Sequence, residues 1–277
     1  MANILFKKSY LHKNLREIEY HSLWDSHGIF TTMRVVGKPF KILFFKEHIK
    51  IFTKSLKDYK INKKYTKKNV LKLIKLHLNK KKKYNHLLRI ASNNKIISIS
   101  LRKKIKPQLN FKIKLINYKR IKPEYKNLKY KKILNFFKKI NMQTSDIALK
   151  YNNKILETGT SNILFVKKDK IYSPVNKFYK GTTLNFFEKK LKKLRKIKKI
   201  NIFISSLSSY EEIILLGSGK GVASVKYIEK PYWKRKSLRT YRFLLKVYEQ
   251  AVTKCPPYNG WSIISIILKI LKYFKFY

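Results

Sequence analysis

The pattern of apolar and polar residues in the first half of the chain predicts short strands and two amphipathic helices. The predicted strands cover residues 29–35, 40–45, 87–92, 96–101 and 111–116. The first two strands are joined at Gly37-Lys38-Pro39, because glycine and proline favour turns. The helices are predicted at 46–59, where Ile49, Phe52 and Leu56 share one face, and at 67–79.

The second half alternates strands and helices in a different order. Helices are predicted at 129–141, 183–196 and 237–254, and strands at 145–150, 162–167, 201–204, 212–217 and 222–226. A polar segment with a proline separates the halves and reads as a linker. We therefore predict an α/β (α+β) protein with a smaller domain at 1–118, a linker at 119–125, a larger domain at 126–255 and a tail at 256–277.

The charge of the chain is strongly positive but evenly distributed. The 277 residues include 67 lysines and arginines against 14 acidic residues, a formal net charge of +53. Such a charge suggests binding to nucleic acid or to an anionic membrane. Only 9 of the basic residues are arginine, however, and the lysines accompany many Ile, Asn, Tyr and Phe, which share AT-rich codons. Drift in base composition is the simpler explanation, and we expect no specific nucleic-acid partner.

The cysteine content and the termini bear on location. The single cysteine, Cys255, cannot form an internal disulfide and fits a reducing, cytoplasmic compartment. The first ten residues contain too short an apolar run for a signal peptide. Residues 261–277 are apolar with a lysine at every third position near their end, and they fall short of the roughly 20 residues that span a bilayer. We expect this tail to pack on the body or on a partner subunit rather than on a membrane surface.

The segment from 126 to 162 carries the candidate chemistry. Lys126 follows the linker, and Tyr130 comes four residues later. Glu157 is one of few acids and stands between an apolar strand and a turn of small residues that includes Ser161 and Asn162. A partly desolvated lysine can attack an aldehyde as a free amine, and a carboxylate can keep a pyridine nitrogen protonated. These residue types suit pyridoxal phosphate, and no residue set predicts a metal site.

Two turns could hold the phosphate group. Thr182 and Thr183 follow Gly181 at the start of a predicted helix, where free N–H groups and hydroxyls bind anions. Ser218, Gly219 and Lys220 follow an apolar strand. The letters GSGK do not form a phosphate-binding Walker loop, because the glycine spacing is wrong and a glycine replaces its serine or threonine.

The block ETGTSNILF at 157–165 resembles the E-x-x-x-x-N-[IL]-[FL] signature of the class IV aminotransferases. This family includes branched-chain and D-amino-acid aminotransferases and aminodeoxychorismate lyase. The resemblance extends over about residues 25–250. It implies two domains with pyridoxal phosphate in the cleft between them. It also implies Lys126 as the catalytic residue, which holds the cofactor as a Schiff base. The cofactor-binding residues implied are Tyr130, Glu157, Ser161, Asn162, Thr182, Thr183, Ser218, Gly219 and Lys220.

The first half matches the family less closely. DSHGIFTTMRV at 25–35 resembles the family strand G-[VL]-F-E-T-[IL]-R, with Thr31 in place of glutamate, and the match places Phe30 and Arg34 at the substrate. Arg89 is a further candidate for the substrate carboxylate. FFKEHIKIF at 44–52 resembles E-E-H-L-x-R-L: His48 matches, but Ile51 stands where the family has a phosphate-binding arginine. Either phosphate affinity is weak or a lysine such as Lys50 compensates.

The resemblance implies a homodimeric enzyme that moves an amino group between an amino acid, branched-chain or otherwise aliphatic, and 2-oxoglutarate. Two alternatives stay open. Aminodeoxychorismate lyase uses the same lysine and cofactor to eliminate pyruvate and give 4-aminobenzoate, and its short chain and lysine-to-tyrosine spacing are similar. A basic nucleic-acid or membrane-surface binder on a degenerate enzyme scaffold would explain the charge and the residue at position 51.

Overall fold

The computed structural model describes residues 4–61, 66–192 and 196–259. Residues 260–277, which make up most of the predicted tail at 256–277, lie outside the described residues, as do positions 193–195 near the end of the helix predicted at 183–196. Within the described ranges, no helix is both long enough and apolar enough to cross a membrane.

The first half forms one antiparallel sheet covered by two helices. Its strands are β1 (Ile4–Leu11), β2 (Glu17–Ile18), β3 (Ile29–Gly37), β4 (Lys41–Ile42), β5 (Tyr84–Ser92) and β6 (Ile96–Lys103), in the order β2-β1-β6-β5-β3-β4. The helices are α1 (Phe45–Asp58) and α2 (Thr66–His77). Met33 and Ile90 on one face of the sheet share a core with Phe52 and Leu73 of the helices. Because side chains alternate along a strand, Phe30 and Arg89 lie on the opposite face.

The second half contains two stacked sheets. One has β10 (Asn162–Lys167), β11 (Lys170–Pro174), β12 (Lys198–Ile200), β14 (Glu212–Gly217) and β15 (Gly221–Ser224), in the order β12-β11-β10-β14-β15. The other has β7 (Lys112–Asn117), β8 (Ser145–Tyr151), β9 (Lys154–Thr158), β13 (Ile202–Phe203), β16 (Tyr227–Ile228) and β17 (Trp233–Lys234), in the order β13-β9-β8-β7-β16-β17. Ile113 and Ala148 of the second sheet pack on Phe165 and Leu215 of the first.

Helices cover the outer faces of this pair of sheets. They are α3 (Lys131–Phe137), α4 (Thr182–Leu191) and α5 (Arg239–Lys254), and a 3-10 helix covers Ile204–Ser209. Leu184 of α4 and Leu244 of α5 are fully buried against Leu164 and Leu216. The first turn of α4 is therefore held rigidly beside the ends of β10 and β14.

Several predicted elements differ from the structure. The helix predicted at 129–141 covers only Lys131–Phe137, and the strand predicted at 201–204 is a two-residue strand followed by the 3-10 helix. Strand β1 is not among the predicted elements. The strand at 112–117 lies in the first half of the sequence but hydrogen-bonds in parallel with β8. Glu157 lies inside β9, not between a strand and a turn.

Candidate active site

Lys126 lies in the segment that enters α3 and runs beside the start of β3. Its carbonyl accepts a hydrogen bond from the Phe30 N–H at 2.9 Å. The two segments approach so closely that a Cβ on Gly28 would lie 2.4 Å from Leu128 Cδ1, so this position requires glycine. The Lys126 side chain is partly buried, and its Nζ lies 4.9 Å from the centre of the Phe30 ring and 5.2 Å from that of Tyr179. The backbone thus holds the amine between two aromatic rings.

The Lys126 amine has an unusually low proton affinity. Burial lowers its pKa to about 8, and the positive charges of Arg120 and Arg89 add to the effect, while Glu157 opposes it. An ordinary lysine has a pKa of 10.5. A much larger fraction of Lys126 is therefore the neutral, nucleophilic amine near neutral pH.

Glu157 is paired with Arg120, and both side chains are buried. Arg120 Nε donates to Glu157 Oε1 at 2.7 Å, and Arg120 Nη2 donates to Glu157 Oε2 at 3.3 Å. The Tyr179 N–H also donates to Oε2 at 3.3 Å. Burial raises the pKa of Glu157, whereas these donors oppose that effect. Because a guanidinium stays protonated, the two-point pair keeps Glu157 as a carboxylate at neutral pH.

Asn162 fixes the loop that leads into α4. Its Nδ2 donates to the Tyr179 carbonyl at 2.6 Å, and its Oδ1 accepts from the Gly181 N–H at 2.9 Å. A Cβ on Gly181 would lie 2.8 Å from that same Oδ1. Asn162 thereby positions both the Tyr179 N–H beside Glu157 and the first residues of α4.

The first turn of α4 gathers hydroxyl groups. The first hydrogen bond within the helix runs from the Asn185 N–H to Gly181, so the N–H groups of the first turn have no partner inside the helix. Thr182 Oγ1 lies 3.4 Å from His48 Nδ1, and Ser218 Oγ lies 3.2 Å from His48 Nε2. Thr183 Oγ1 is buried and makes no hydrogen bond to any described residue. Free N–H groups and hydroxyls of this kind suit an anion.

Residues 218–220 form the turn between β14 and β15. The turn lies against the first half of the chain, because a Cβ on Gly219 would lie 3.6 Å from Leu87 Cδ1 of β5. The next residue, Gly221, has φ +73, a conformation that favours glycine. Ser218 therefore lies where the first sheet, α1 and α4 meet.

Lys220 is committed to a buried ion pair. Its Nζ lies 2.8 Å from Asp146 Oδ2 and 2.6 Å from Thr160 Oγ1. Asp146 is fully buried, and both Thr158 and Thr160 donate to its Oδ2 at 3.0 Å. This network connects the turn that contains Ser161 with the turn at 218–220. Lys220 thus holds the backbone of these two turns in place, and Asp146 already balances its positive charge.

Lys126 adjoins a cluster of aromatic side chains around Phe30. The Phe30 ring meets Trp24 and Tyr130 edge-on at centroid distances of 4.9 and 5.5 Å. Tyr130 stacks on Trp24, and its hydroxyl donates to the Gly159 carbonyl. Arg89 lies 3.9 Å from the centre of the Trp24 ring. The wall is apolar with one guanidinium at its edge.

The two arginine candidates differ in their contacts. Arg89 Nη2 donates to the Ser22 carbonyl at 2.8 Å, while the buried Arg89 Nε has no partner among the described residues. Burial lowers the pKa of Arg89 to about 10. Arg34 lies farther along β3, with its guanidinium carbon 5.8 Å from the centre of the Tyr248 ring. Arg89 interacts electrostatically with Lys126, so it is the better placed of the two.

The sequence analysis missed Arg120 and Asp146. Arg120 lies in the predicted linker, yet only 3% of it is exposed, and it also donates to the carbonyls of Pro123 and Tyr125. A signal was available: arginine is rare in this lysine-rich chain, and only its planar fork pairs with a carboxylate at two points. Asp146 gave no such signal, because it forms part of an apolar strand.

Comparison with known proteins identifies the family. The model for "Amino-transferase class IV" matches residues 28–228. No curated protein sequence gives a significant match. Solved structures share the fold at low identity. The branched-chain aminotransferase of Thermoproteus uzoniensis with norvaline is 12% identical with a TM-score of 0.72, covering 90% of this chain and 94% of that chain.

Two further structures agree. The branched-chain amino acid aminotransferase of Thermobaculum terrenum in its PLP form is 13% identical with a TM-score of 0.71, covering 91% of this chain and 95% of that chain. A hypothetical aminotransferase from Mycobacterium tuberculosis in its PLP-bound form is 11% identical with a TM-score of 0.67, covering 88% and 98%. The predicted fold class is confirmed. The match over residues 28–228 shows that the chain belongs to the class IV aminotransferases, which are enzymes that depend on pyridoxal phosphate.

Proposed function

We propose that this enzyme transfers the amino group of an aliphatic amino acid, in the first instance a branched-chain one, to 2-oxoglutarate. The observation that carries the proposal is the Lys126 amine, with its pKa lowered to about 8, held between Phe30 and Tyr179. The carboxylate of Glu157, paired with Arg120, is close enough to influence the pKa of Lys126. A neutral amine beside a fixed carboxylate is the arrangement that this chemistry requires.

The residues present fit pyridoxal phosphate. When bound, the cofactor supplies an aldehyde that condenses with an amine and a ring that accepts electrons from the α-carbon of the substrate. Lys126 would hold the aldehyde carbon and Glu157 the ring nitrogen. The hydroxyls of Thr182, Thr183 and Ser218 would hold the phosphate, together with the first N–H groups of α4. The unpartnered Thr183 Oγ1 supports this fit.

The remaining cofactor-binding residues would act mainly by positioning. Asn162 fixes the loop before α4, and Lys220 holds the turn at Gly219 through its pair with Asp146. Ser161 is buried in the turn after β9. The Tyr130 hydroxyl is engaged by the Gly159 carbonyl, which orients its ring towards Phe30.

Lys126 would move the proton of the reaction. As a neutral amine, Nζ can first form a covalent bond and, once released, accept the proton from the α-carbon of the amino acid. A base works best when its pKa lies near the operating pH, and about 8 meets that condition. The Phe30 and Tyr179 rings keep water away from Nζ and stabilise its protonated form after the transfer.

The substrate class follows from the wall of the site. Phe30, Trp24 and Tyr130 form an apolar surface that suits an aliphatic side chain, and Arg89 lies at its edge, where a guanidinium could pair with the substrate carboxylate. Arg34 is the second candidate for that carboxylate. We also propose that the enzyme works as a homodimer in the cytoplasm, with its single cysteine as support for a reducing compartment.

The test is an assay of glutamate formation from 2-oxoglutarate with leucine, isoleucine, valine, alanine and aspartate as donors. We expect the branched-chain donors to react fastest and Lys126→Ala to abolish the reaction. Lys54→Ala is the matched control, because Lys54 is exposed, and it should retain full activity. Activity that survives in Lys126→Ala would refute the assignment of the lysine. Release of pyruvate from aminodeoxychorismate without glutamate formation would favour the lyase instead.

A further inference from the structure

His48 connects three separate parts of the site. It lies on α1 with 5% of its surface exposed. Its Nδ1 lies 2.9 Å from Thr31 Oγ1 of β3 and 3.4 Å from Thr182 Oγ1 of α4, while its Nε2 lies 3.2 Å from Ser218 Oγ. A buried imidazole surrounded by three hydroxyls is a costly arrangement unless every ring nitrogen has a partner.

The charge state of His48 follows from its surroundings. Burial and the positive charge of Lys126 lower its pKa to about 3, so the ring is neutral near pH 7. The other groups at its nitrogens are the hydroxyls of Thr31, Thr182 and Ser218, which do not titrate in this range. The four lysines of its own helix, Lys46, Lys50, Lys54 and Lys57, are all exposed to solvent.

A neutral imidazole has one N–H donor and one acceptor nitrogen. Thr31 is the nearer hydroxyl to Nδ1, so it can donate to that nitrogen, and the ring proton then lies on Nε2 and is donated to Ser218 Oγ. Ser218 Oγ accepts this hydrogen bond, so the Ser218 hydroxyl remains free to donate its own hydrogen bond to another group. Since Thr31 occupies Nδ1, the proton of Thr182 is also left to donate.

We propose that His48 is a positioning residue for the phosphate group of the cofactor: as the Nε2–H tautomer it aims the hydroxyl protons of Ser218 and Thr182 at an anion bound by the first turn of α4. The inference rests on the proposed use of pyridoxal phosphate at this site. It goes further in assigning the phosphate affinity to a neutral histidine and two hydroxyls, without a cation from α1.

The test compares the affinities of the cofactor-free protein for pyridoxal phosphate and for pyridoxal, which lacks the phosphate. Dissociation constants are measured at pH 7.5 for the wild type, His48→Phe, His48→Gln and Ser218→Ala. His48→Phe should weaken pyridoxal phosphate by about 10- to 100-fold, as expected for lost hydrogen bonds to a charged group, and leave pyridoxal nearly unchanged. His48→Gln keeps an N–H near Ser218 and should lose less. Lys50→Ala should leave both affinities unchanged.

The outcomes separate the inference from the proposed function. Equal loss of affinity for both ligands in His48→Phe, or no loss for either, would overturn the role of His48. If His48→Phe does not fold, His48→Gln decides the question: it should weaken pyridoxal phosphate selectively, and affinities equal to those of the wild type for both ligands would overturn the role of His48. A wild type that binds neither ligand would refute the proposed function itself.

Discussion

Replacing Lys126 with methionine should make the cofactor-free protein more stable at neutral pH, at the expense of its activity. In the folded protein, burial and the nearby charge of Arg120 lower the pKa of this lysine from 10.5 to about 8. Folding therefore disfavours the protonated form that lysine adopts in the unfolded chain. Methionine fills a similar volume without a charge, so the variant removes this cost.

The size of the gain follows from the two pKa values. At 1.36 kcal/mol for each pKa unit, the difference between 10.5 and about 8 corresponds to about 3 kcal/mol. The contacts of Nζ with the Phe30 and Tyr179 rings are lost in the variant, which offsets about 1 kcal/mol. The net gain is about 2 kcal/mol, or a rise of about 4–8 °C in the unfolding temperature for a chain of this size.

The gain in stability from Lys126→Met should fall as the pH rises. Below pH 8, Lys126 is protonated in both the folded and the unfolded chain, and the cost is present in full. Between about 8 and 10.5 the folded protein has released the proton while the unfolded chain still binds it, so the stability of the wild type rises with pH. The difference between the variant and the wild type should therefore shrink towards zero at pH 10.

Thermal unfolding of the cofactor-free protein at pH 7 and pH 10 is the assay. Lys50→Met is the control, and because Lys50 is exposed it should change stability by less than about 0.5 kcal/mol at either pH. A Lys126→Met variant that is less stable than the wild type at pH 7 would refute the reasoning. So would a gain of equal size at both pH values, since packing alone would then explain it.

Three further predictions concern the buried charges. Arg120→Met should lower the free energy of unfolding in urea by about 3 kcal/mol, because it leaves the Glu157 carboxylate buried without its partner. Adding Glu157→Leu should recover most of this loss. Strictly additive losses in the double variant would contradict the prediction. Lys220→Met should cost about 2 kcal/mol in the same assay, with less loss when Asp146→Asn is added. Glu157→Gln should lower turnover by about 100-fold, measured by glutamate formation, and near-normal turnover would refute its role at the ring nitrogen.

Local patterns predicted much of the fold. The strand predicted at 162–167 matches β10, because its apolar residues are bounded by a turn on each side. The hairpin at Gly37-Lys38-Pro39 is confirmed by the pairing of Val35 with Ile42. The helix predicted at 46–59 matches α1 within one residue, since the periodicity of Ile49 and Phe52 is that of a helix with one buried face. These elements are specified by neighbours in the sequence.

The missed features depend on contacts between distant segments. The two-residue strands β16 and β17 have too few residues to show a period, and only their pairing with each other and with β7 makes them strands. Arg120 meets Glu157 across 37 positions of the chain. Lys220, in the turn between β14 and β15, meets Asp146 of β8 only when the two stacked sheets have come together. Proline and polar residues around Arg120 indicated a loop, which is correct for the backbone but does not reveal that the guanidinium is buried.

Only the part of the candidate site that forms a motif along the sequence could be predicted. Lys126, Glu157 and Asn162 were proposed as site residues from spacing and resemblance, and their roles stay predictions. The hydroxyl cluster around His48 was not predicted, although the histidine itself matched the family pattern. Thr182 and Ser218 were singled out as candidates for the phosphate group, but they lie in segments distant from each other and from Thr31. Their convergence on His48 was therefore not visible in the sequence.

The central claim is that Lys126, among the 58 lysines of this chain, is the one that holds the cofactor. The most direct measurement is to mix the protein with one equivalent of pyridoxal phosphate, reduce with borohydride and locate the pyridoxyl group by peptide mass spectrometry. The account predicts nearly stoichiometric label on Lys126 and scattered trace label in Lys126→Ala. Label spread over many surface lysines in the wild type, or concentrated on a different lysine, would contradict it.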